Sequence, residues 1–532
     1  MATRIFDYVV VGGGSGGSVV AAKLAEDGRF SVALVEEGRR DTNPWIGIPG
    51  TFHKVLASQD ATVVTSDPDE TIENRPFNVP QGRVLGGGSS VNGMIYIRGQ
   101  ARDYDEWEQE HGCDGWGFDQ VLPVFKGQEA NQRLGDPYHG QSGPLKVGDP
   151  NHKHPVTAAL IEAGLSAGIP PTDDYNGERQ EGCGWYQLTA TDGRRNSAAR
   201  AFLHPVIGKD TLTLLTGHKA LRVRFKGRRA CGLEATGPDG EVFIEARKEI
   251  VLCAGSFHSP RLLMLSGIGP ADNLNRFGID VVHDAPEVGG NLQDHIGTPV
   301  TMRLKDSIGL HGADRGLRAL RHGAEYLMFR KGLLSSNILE AGAIVDTDGD
   351  GREDVQYNFG PFAPGEPGKP LPFHALQVHP MTMRPKSRSR IHLGSGNPHD
   401  APVIKSRVLE AEEDLDTLRR GVQLAREILL QPNIRDLVAE EVWPGPDVSS
   451  SIGSNTLDTA IRKWARTIFH PSGTCRMGGS PSAVTDPRLR VNGVEGLRVA
   501  DCSIMPAITS GNTNAPTMMI AERCARWMLE DA

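Results

Sequence analysis

The chain is short of three things. Its seven cysteines (Cys113, Cys183, Cys231, Cys253, Cys475, Cys502 and Cys524) are scattered and include no C-x-x-C pair. An odd set without metal-ligand spacing argues against a disulfide framework and a zinc site, and reads as the reduced thiols of a cytoplasmic protein. No stretch approaches the roughly 18 consecutive apolar residues of a membrane-spanning helix. The first apolar run passes straight into glycines, so no signal peptide is expected. Any membrane association would be peripheral. Positive charge is also lacking. The net charge is −9 and the best basic run, "RPKSRSR" at 384–390, is short. Neither favours a nucleic acid or an anionic membrane as partner.

Glycine is abundant, and it falls in two clusters near the N-terminus. The first lies in "FDYVVVGGGSGGSVVAAKLAEDGRFSVALVEEG", which reads as strand, tight turn, helix, strand. Gly12, Gly14 and Gly17 fit G-x-G-x-x-G, with Ser15 between them. The turn opens a helix whose free N–H groups suit a pyrophosphate. Glu36 ends the second strand, where a carboxylate can hold ribose hydroxyls. An acid there disfavours NADP but does not separate NAD from FAD. One pyrophosphate needs one such loop, yet "GRVLGGGSSVNG" at 82–93 supplies a second. Its consecutive glycines allow close backbone approach, and Ser89, Ser90 and Asn92 add short hydrogen-bonding groups. A long cofactor lying across the chain would explain both clusters.

The second cluster resembles the first signature of the glucose–methanol–choline (GMC) family of FAD-dependent alcohol oxidoreductases. "GSFHSPRLLMLSGIG" at 255–269 resembles its second signature, and "FHPSGTCRMG" and "LRVADCSIMPAITSGNTNAPTMMIAERC" resemble its C-terminal motifs. The similarity runs from Phe6 to the end, and feels nearest the bacterial choline-dehydrogenase-like branch that includes L-sorbose, aliphatic-alcohol and polyethylene-glycol dehydrogenases. The resemblance implies an α/β fold: a Rossmann-like FAD-binding domain (1–155, 205–297 and 461–532) with a glucose-oxidase-like substrate domain of α+β type built on a β-sheet (156–204 and 298–460). In the sequence itself, 212–252 alternates like a β-meander returning to the nucleotide-binding sheet. Strand-like pieces fall at 355–359 and 376–383, and a helix near 410–430. The implied cofactor residues are Gly12, Gly14, Ser15, Gly17, Glu36, Arg83, Gly87, Ser89, Asn92 and Asp501, with no metal. Some members attach FAD through a histidine where this chain has Val91, so the flavin is expected to be non-covalent.

An alcohol yields hydride readily only as its O–H proton leaves, so the site needs a base near neutrality and a donor to steady the alkoxide. His-Pro occurs four times, at His154, His204, His379 and His470. Only His470 is followed by small residues that leave backbone open to a ligand. The resemblance places the catalytic histidine at His470 and its partner at Asn512, the first asparagine of "GNTNAP". Asparagine cannot act as a base, so His470 must accept the proton alone while Asn512 donates to the substrate oxygen. Hydride would then pass to flavin N5. Pro516, in the first turn of the last helix, fits a helix N-terminus facing the flavin. Choline-specific members usually place an acid two residues after the histidine of "LQDH"; Ile296 and Gly297 follow His295 here, which favours a neutral primary alcohol, sugar or polyol. The acceptor expected is a quinone or similar compound. An oxidase using O2 is the close alternative, and a hydroxynitrile lyase a more distant one. "DTDGDGRED" at 346–354 mimics the start of a calcium loop, but Tyr357 stands where the bidentate Glu is required, so an Asp/Gly hairpin turn is expected.

Overall fold

In the computed structural model, which describes residues 2–363, 365, 371–449 and 451–532, the apolar run at the N-terminus is the centre of a parallel layer. Ala2–Val11 pairs in parallel with Val32–Glu36 on one side and with Gly240–Leu252 on the other. Leu212–Thr216 extends the layer beside Val32–Glu36, and Leu497–Val499 beside the end of Gly240–Leu252. Val9, Val10 and Val11 are buried on both faces, as central parallel strands require. The helix Ser15–Asp27 makes the first crossover, and the C-terminal helix Asn514–Glu530 packs against it.

Three of the four strands read as a meander form one. Lys219–Lys226, Arg229–Gly237 and the first half of Gly240–Leu252 are successive antiparallel neighbours. The exception is Leu212–Thr216, which joins the parallel layer. Its sequence, "LTLLT", carries no charge and suits a strand within that layer. Gly217, at φ +72°, then lets the chain turn away.

The second sheet is antiparallel, in the order Val438–Trp443, Val300–Leu304, Ala375–Thr382, Val355–Gly360, Ala341–Val345, Gly182–Trp185. Two short strands, Ile296–Gly297 and Arg466–Thr467, pair with each other, and Ile296–Gly297 also meets the end of Ala375–Thr382. They bring the chain just before His470 to the edge of this sheet. The helix Glu412–Leu429 covers one face, where Tyr357 O–H donates to Gly421 O at 3.2 Å. Because side chains alternate along a strand, Gln356 and Asn358 occupy the opposite face, with Gln377 and His379 beside them on the neighbouring strand. That polar face looks toward the catalytic candidates.

The Asp/Gly segment is a turn between Ala341–Val345 and Val355–Gly360. Asp346, Asp348 and Asp350 cluster there. Asp346, however, spends its oxygens on the N–H groups of Asp348, Gly349 and Gly351. Tyr357 lies within the strand.

Candidate active site

The two glycine clusters touch. Gly12 sits at φ +98°, where a Cβ would lie 2.5 Å from Cys253 O. A Cβ on Gly17 would lie 1.8 Å from Gly12 O, so the helix presses directly on the turn. The second loop packs onto the first: Gly86 N–H donates to Gly13 O at 2.7 Å, and a Cβ on Gly87 would lie 2.7 Å from Gly14 Cα. Outward from this contact the space is open. A Cβ on Gly14 would meet nothing nearer than 3.9 Å, and one on Gly88 nothing within 4 Å. Ser15 Oγ donates to Asn514 Oδ1 at 2.8 Å and draws the N-terminus of the last helix beside that of the first. Two helix N-termini, each with free N–H groups and a positive dipole end, thus converge on a backbone cradle without side chains. The arrangement fits the pyrophosphate of a dinucleotide.

Glu36 closes the back of this cradle. Its two oxygens accept the N–H groups of Gly13 and Gly38, each at 2.7 Å, and burial pushes its carboxyl up to about 7. Three other expected cofactor residues act mainly on the protein itself. Ser89 Oγ donates to Gly86 O and accepts Ala198 N–H, which fixes the second loop. Asn92 Oδ1 accepts from Arg195 at 2.7 Å. Asp501 accepts Gly255 N–H, Ser259 O–H and Ser503 N–H at 2.6–2.8 Å, and so ties the 255–265 helix to the C-terminal segment. Arg83 stands half-exposed beside Glu37 at 3.5 Å.

His470 sits at the end of a strained loop. Phe469 adopts φ +70°, a conformation costing about 1–3 kcal/mol for such a residue. Asp294 holds the loop in place: it accepts His470 N–H at 2.9 Å and the hydroxyl of Thr467, which in turn accepts Phe469 N–H at 2.9 Å. Burial pushes the Asp294 carboxyl up to about 7.

The imidazole of His470 belongs to a chain of hydrogen bonds whose direction can be worked out. Met383 O can only accept, so His295 Nε2, 3.0 Å away, carries a proton. Burial depresses the His295 pKa to about 4, so the ring is neutral and its Nδ1 is bare. That Nδ1 lies 2.9 Å from His470 Nδ1, which must therefore be the donor. Burial, and then the neighbouring His295, hold His470 well below the usual histidine range. It too is neutral, and its Nε2 keeps a lone pair. Asn512 Nδ2 lies 3.0 Å from that Nε2, and Gln356 Nε2 lies 3.4 Å from Asn512 Oδ1, which orients the amide. The outcome is a bare imidazole nitrogen next to an amide donor, as general-base chemistry on a hydroxyl requires.

The structure thus brings His470 and Asn512 together and adds His295, Asp294 and Gln356, to which sequence reasoning gave no role. "LQDH" held the only visible signal for the first two. His295 and His470 are 175 residues apart, and no spacing relates them. Cys475 and Cys502 show no thiolate activation, since burial pushes both thiols up.

Two family models, both described as GMC oxidoreductase, match residues 6–297 and 385–521. The chain is 41% identical to an oxygen-dependent choline dehydrogenase of Brucella melitensis biotype 1 over 529 residues, 98% of this chain and 95% of that protein. It is 39% identical to an alcohol dehydrogenase [acceptor] of Pseudomonas putida over 531 residues, again 98% and 95%. Among solved structures, pyridoxine 4-oxidase from Mesorbium loti superposes with a TM-score of 0.89 at 31% identity, covering 98% of both chains. An R554A variant of Aspergillus oryzae formate oxidase gives 0.91 at 26%, covering 99% of this chain and 98% of that one. The chain belongs to the GMC oxidoreductases, and its cofactor is that family's FAD.

Proposed function

We propose that this protein is an alcohol dehydrogenase that oxidises a neutral primary alcohol, sugar or polyol, L-sorbose-like in character, to the aldehyde or ketone and passes the electrons to a quinone-type acceptor. The observation that carries the reading is the bare Nε2 of His470 beside the Asn512 amide. In the proposed mechanism His470 takes the hydroxyl proton at Nε2. Asn512 donates an N–H to the oxygen as negative charge develops on it. FAD, when bound, supplies the oxidant that takes hydride from the carbinol carbon. The resulting imidazolium keeps its Nδ1–H on His295, so the ring does not have to turn during the transfer. The paired glycine loops and Glu36 hold the cofactor non-covalently, since Val91 offers no nucleophile.

The polar sheet face supports a neutral, hydroxyl-bearing substrate. The side-chain carbonyl oxygens of Gln356, Asn358 and Gln377 are buried with no hydrogen-bond partner among the described residues. Substrate hydroxyls would satisfy such acceptors. Gly297 occupies the position where choline-specific members carry an acid, and a Cβ there would already lie 2.8 Å from His379 Nε2. A carboxylate for a quaternary ammonium has no room. An oxidase is the second reading, favoured by solved relatives that are themselves oxidases. The name of the Pseudomonas putida relative, an alcohol dehydrogenase [acceptor] aligned over nearly the full length, weighs the other way.

The test is the visible spectrum under anaerobic addition of sugars, polyols, primary alcohols and choline. Bleaching by a neutral alcohol supports the proposal, and slow recovery in air then favours the dehydrogenase. Bleaching by choline alone would overturn the substrate assignment. A yellow protein that none of them bleaches would overturn the alcohol oxidation itself and return weight to a lyase.

A further inference from the structure

The helix Gly316–Phe329 is built inside out. Its inner face is small and polar: Ala319, His322, Gly323 and Tyr326 recur at i, i+3, i+4 and i+7. Tyr326 is its one buried side chain and donates its hydroxyl to Gly193 O at 2.8 Å. The apolar residues point the other way. Leu317, Leu320, Leu327, Met328 and Phe329 are 84%, 69%, 80%, 67% and 64% exposed. They are the five most exposed large apolar side chains among the described residues, and all lie on this one helix. Single exposed leucines need no explanation, whereas a concentrated stripe marks a contact surface.

The charges around the stripe identify what covers it. Arg318 and Arg321 project from the helix, and Arg330 and Lys331 follow its end. None of the four has an ion-pair partner among the described residues, while Arg315 at the start has only Asp314, at 3.7 Å. The only acid within the helix is Glu325. The net charge of −9 for the whole chain is therefore no guide to this face. An aromatic–basic pair adjoins it. Trp45 is 41% exposed with Lys54 Nζ 4.7 Å from its ring, and the turn Pro49–Thr51 on the same loop packs against Leu333–Ser335 just beyond the helix. An apolar stripe rimmed by unpaired cations, with tryptophan at its margin, is the composition of an interfacial helix.

We propose that this helix docks the protein on a membrane surface bearing anionic headgroups, with the stripe at the acyl boundary and the arginines at headgroup depth. A second copy of the chain would set this basic rim against itself. The site lies close to the cofactor loops: Gly193 is two residues from Arg195, whose guanidinium joins Ile46 O to Asn92 Oδ1. Docking would bring that region near a lipid-dissolved acceptor, though the proposal does not depend on which acceptor is used.

The test is co-sedimentation of the flavin-loaded protein with vesicles of phosphatidylcholine alone or mixed equally with phosphatidylglycerol. Binding is expected to the mixed vesicles only, and to weaken with salt. Each basic charge removed should lower partitioning about fivefold, read with Arg318→Gln and Arg321→Gln. Leu317→Asp with Leu327→Asp should abolish binding while leaving the flavin spectrum and melting temperature unchanged, because both side chains are solvent-exposed. Wild-type protein that ignores the mixed vesicles, or variants that bind as well as wild type, would overturn the proposal. So would a wild-type dimer that the aspartate variant dissociates, since the stripe would then belong to a second copy.

Discussion

The two hydrogen bonds of His295 can be removed one at a time. Its Nδ1 accepts from His470, and its Nε2–H donates to Met383 O. Asparagine places an amide oxygen near the Nδ1 position and nothing near Nε2. Glutamine reaches the Nε2 position with an amide N–H and offers no acceptor to His470. Leucine removes both. Without the acceptor, the reactive tautomer leaves a buried Nδ1–H unpaired, at about 1–3 kcal/mol. The resting enzyme escapes that cost in the other tautomer, once the Asn512 amide turns its oxygen to accept the Nε2–H, but that form cannot take a proton. That penalty enters the barrier directly, so His295→Gln should lower kcat/KM by roughly 5- to 150-fold with melting little changed. His295→Asn should keep activity within about threefold and melt earlier, because Met383 O then lacks its donor. His295→Leu should lose both. The assays are steady-state kinetics with a soluble dye acceptor and calorimetry on the same preparations. If activity follows melting temperature across the three variants, or if the glutamine variant matches the asparagine one, the tautomer argument is wrong.

Three further outcomes follow from the site. His470, the proposed base, is held well below the usual histidine range by burial and so stays unprotonated through pH 6.5; the acid limb of the kcat/KM profile should fall below that value, and a limb centred at or above 6.5 would contradict it. A depressed histidine pKa also means that the unfolded state binds more protons. The stability share of His295, depressed to about 4, is thus intact above pH 6.5 and declines as pH falls toward 4, by about 2 kcal/mol at pH 5. Asp294, raised to about 7, works in the opposite sense and loses its share as pH rises from about 4 to 7, so the difference between wild type and Asp294→Asn should grow toward neutral pH in urea titrations. At the cofactor, a methyl on Gly87 would collide with Gly14 Cα at 2.7 Å from a φ of +49°. Gly87→Ala should therefore purify with much of its flavin absorbance missing. Full retention would mean that the two loops do not need their contact.

Local chemistry carried the sequence reading a long way. A strand, a G-x-G-x-x-G turn, a helix and a terminal acid form a contiguous unit, whose steric rules act between near neighbours and are written in residue order. The same holds for the helix near 410–430, for the meander from Lys219 onward, and for the Asp/Gly turn, where short carboxylates capture their own backbone. Leu212–Thr216 escaped because pairing partners are chosen across the fold, and an apolar strand beside a turn can pair at either edge of the one sheet. His295 escaped for a stronger reason. Its role rests on a backbone carbonyl at 383 and an imidazole at 470, which meet only when the antiparallel sheet and the C-terminal segment pack together. The proton position on His470 is a property of that packing, because an isolated imidazole can carry its hydrogen on either nitrogen and only fixed donors and acceptors choose between them. The outward stripe at 317–329 shows the converse. Its periodicity is ordinary for a helix, and only the folded chain reveals that the apolar side is the one left facing out.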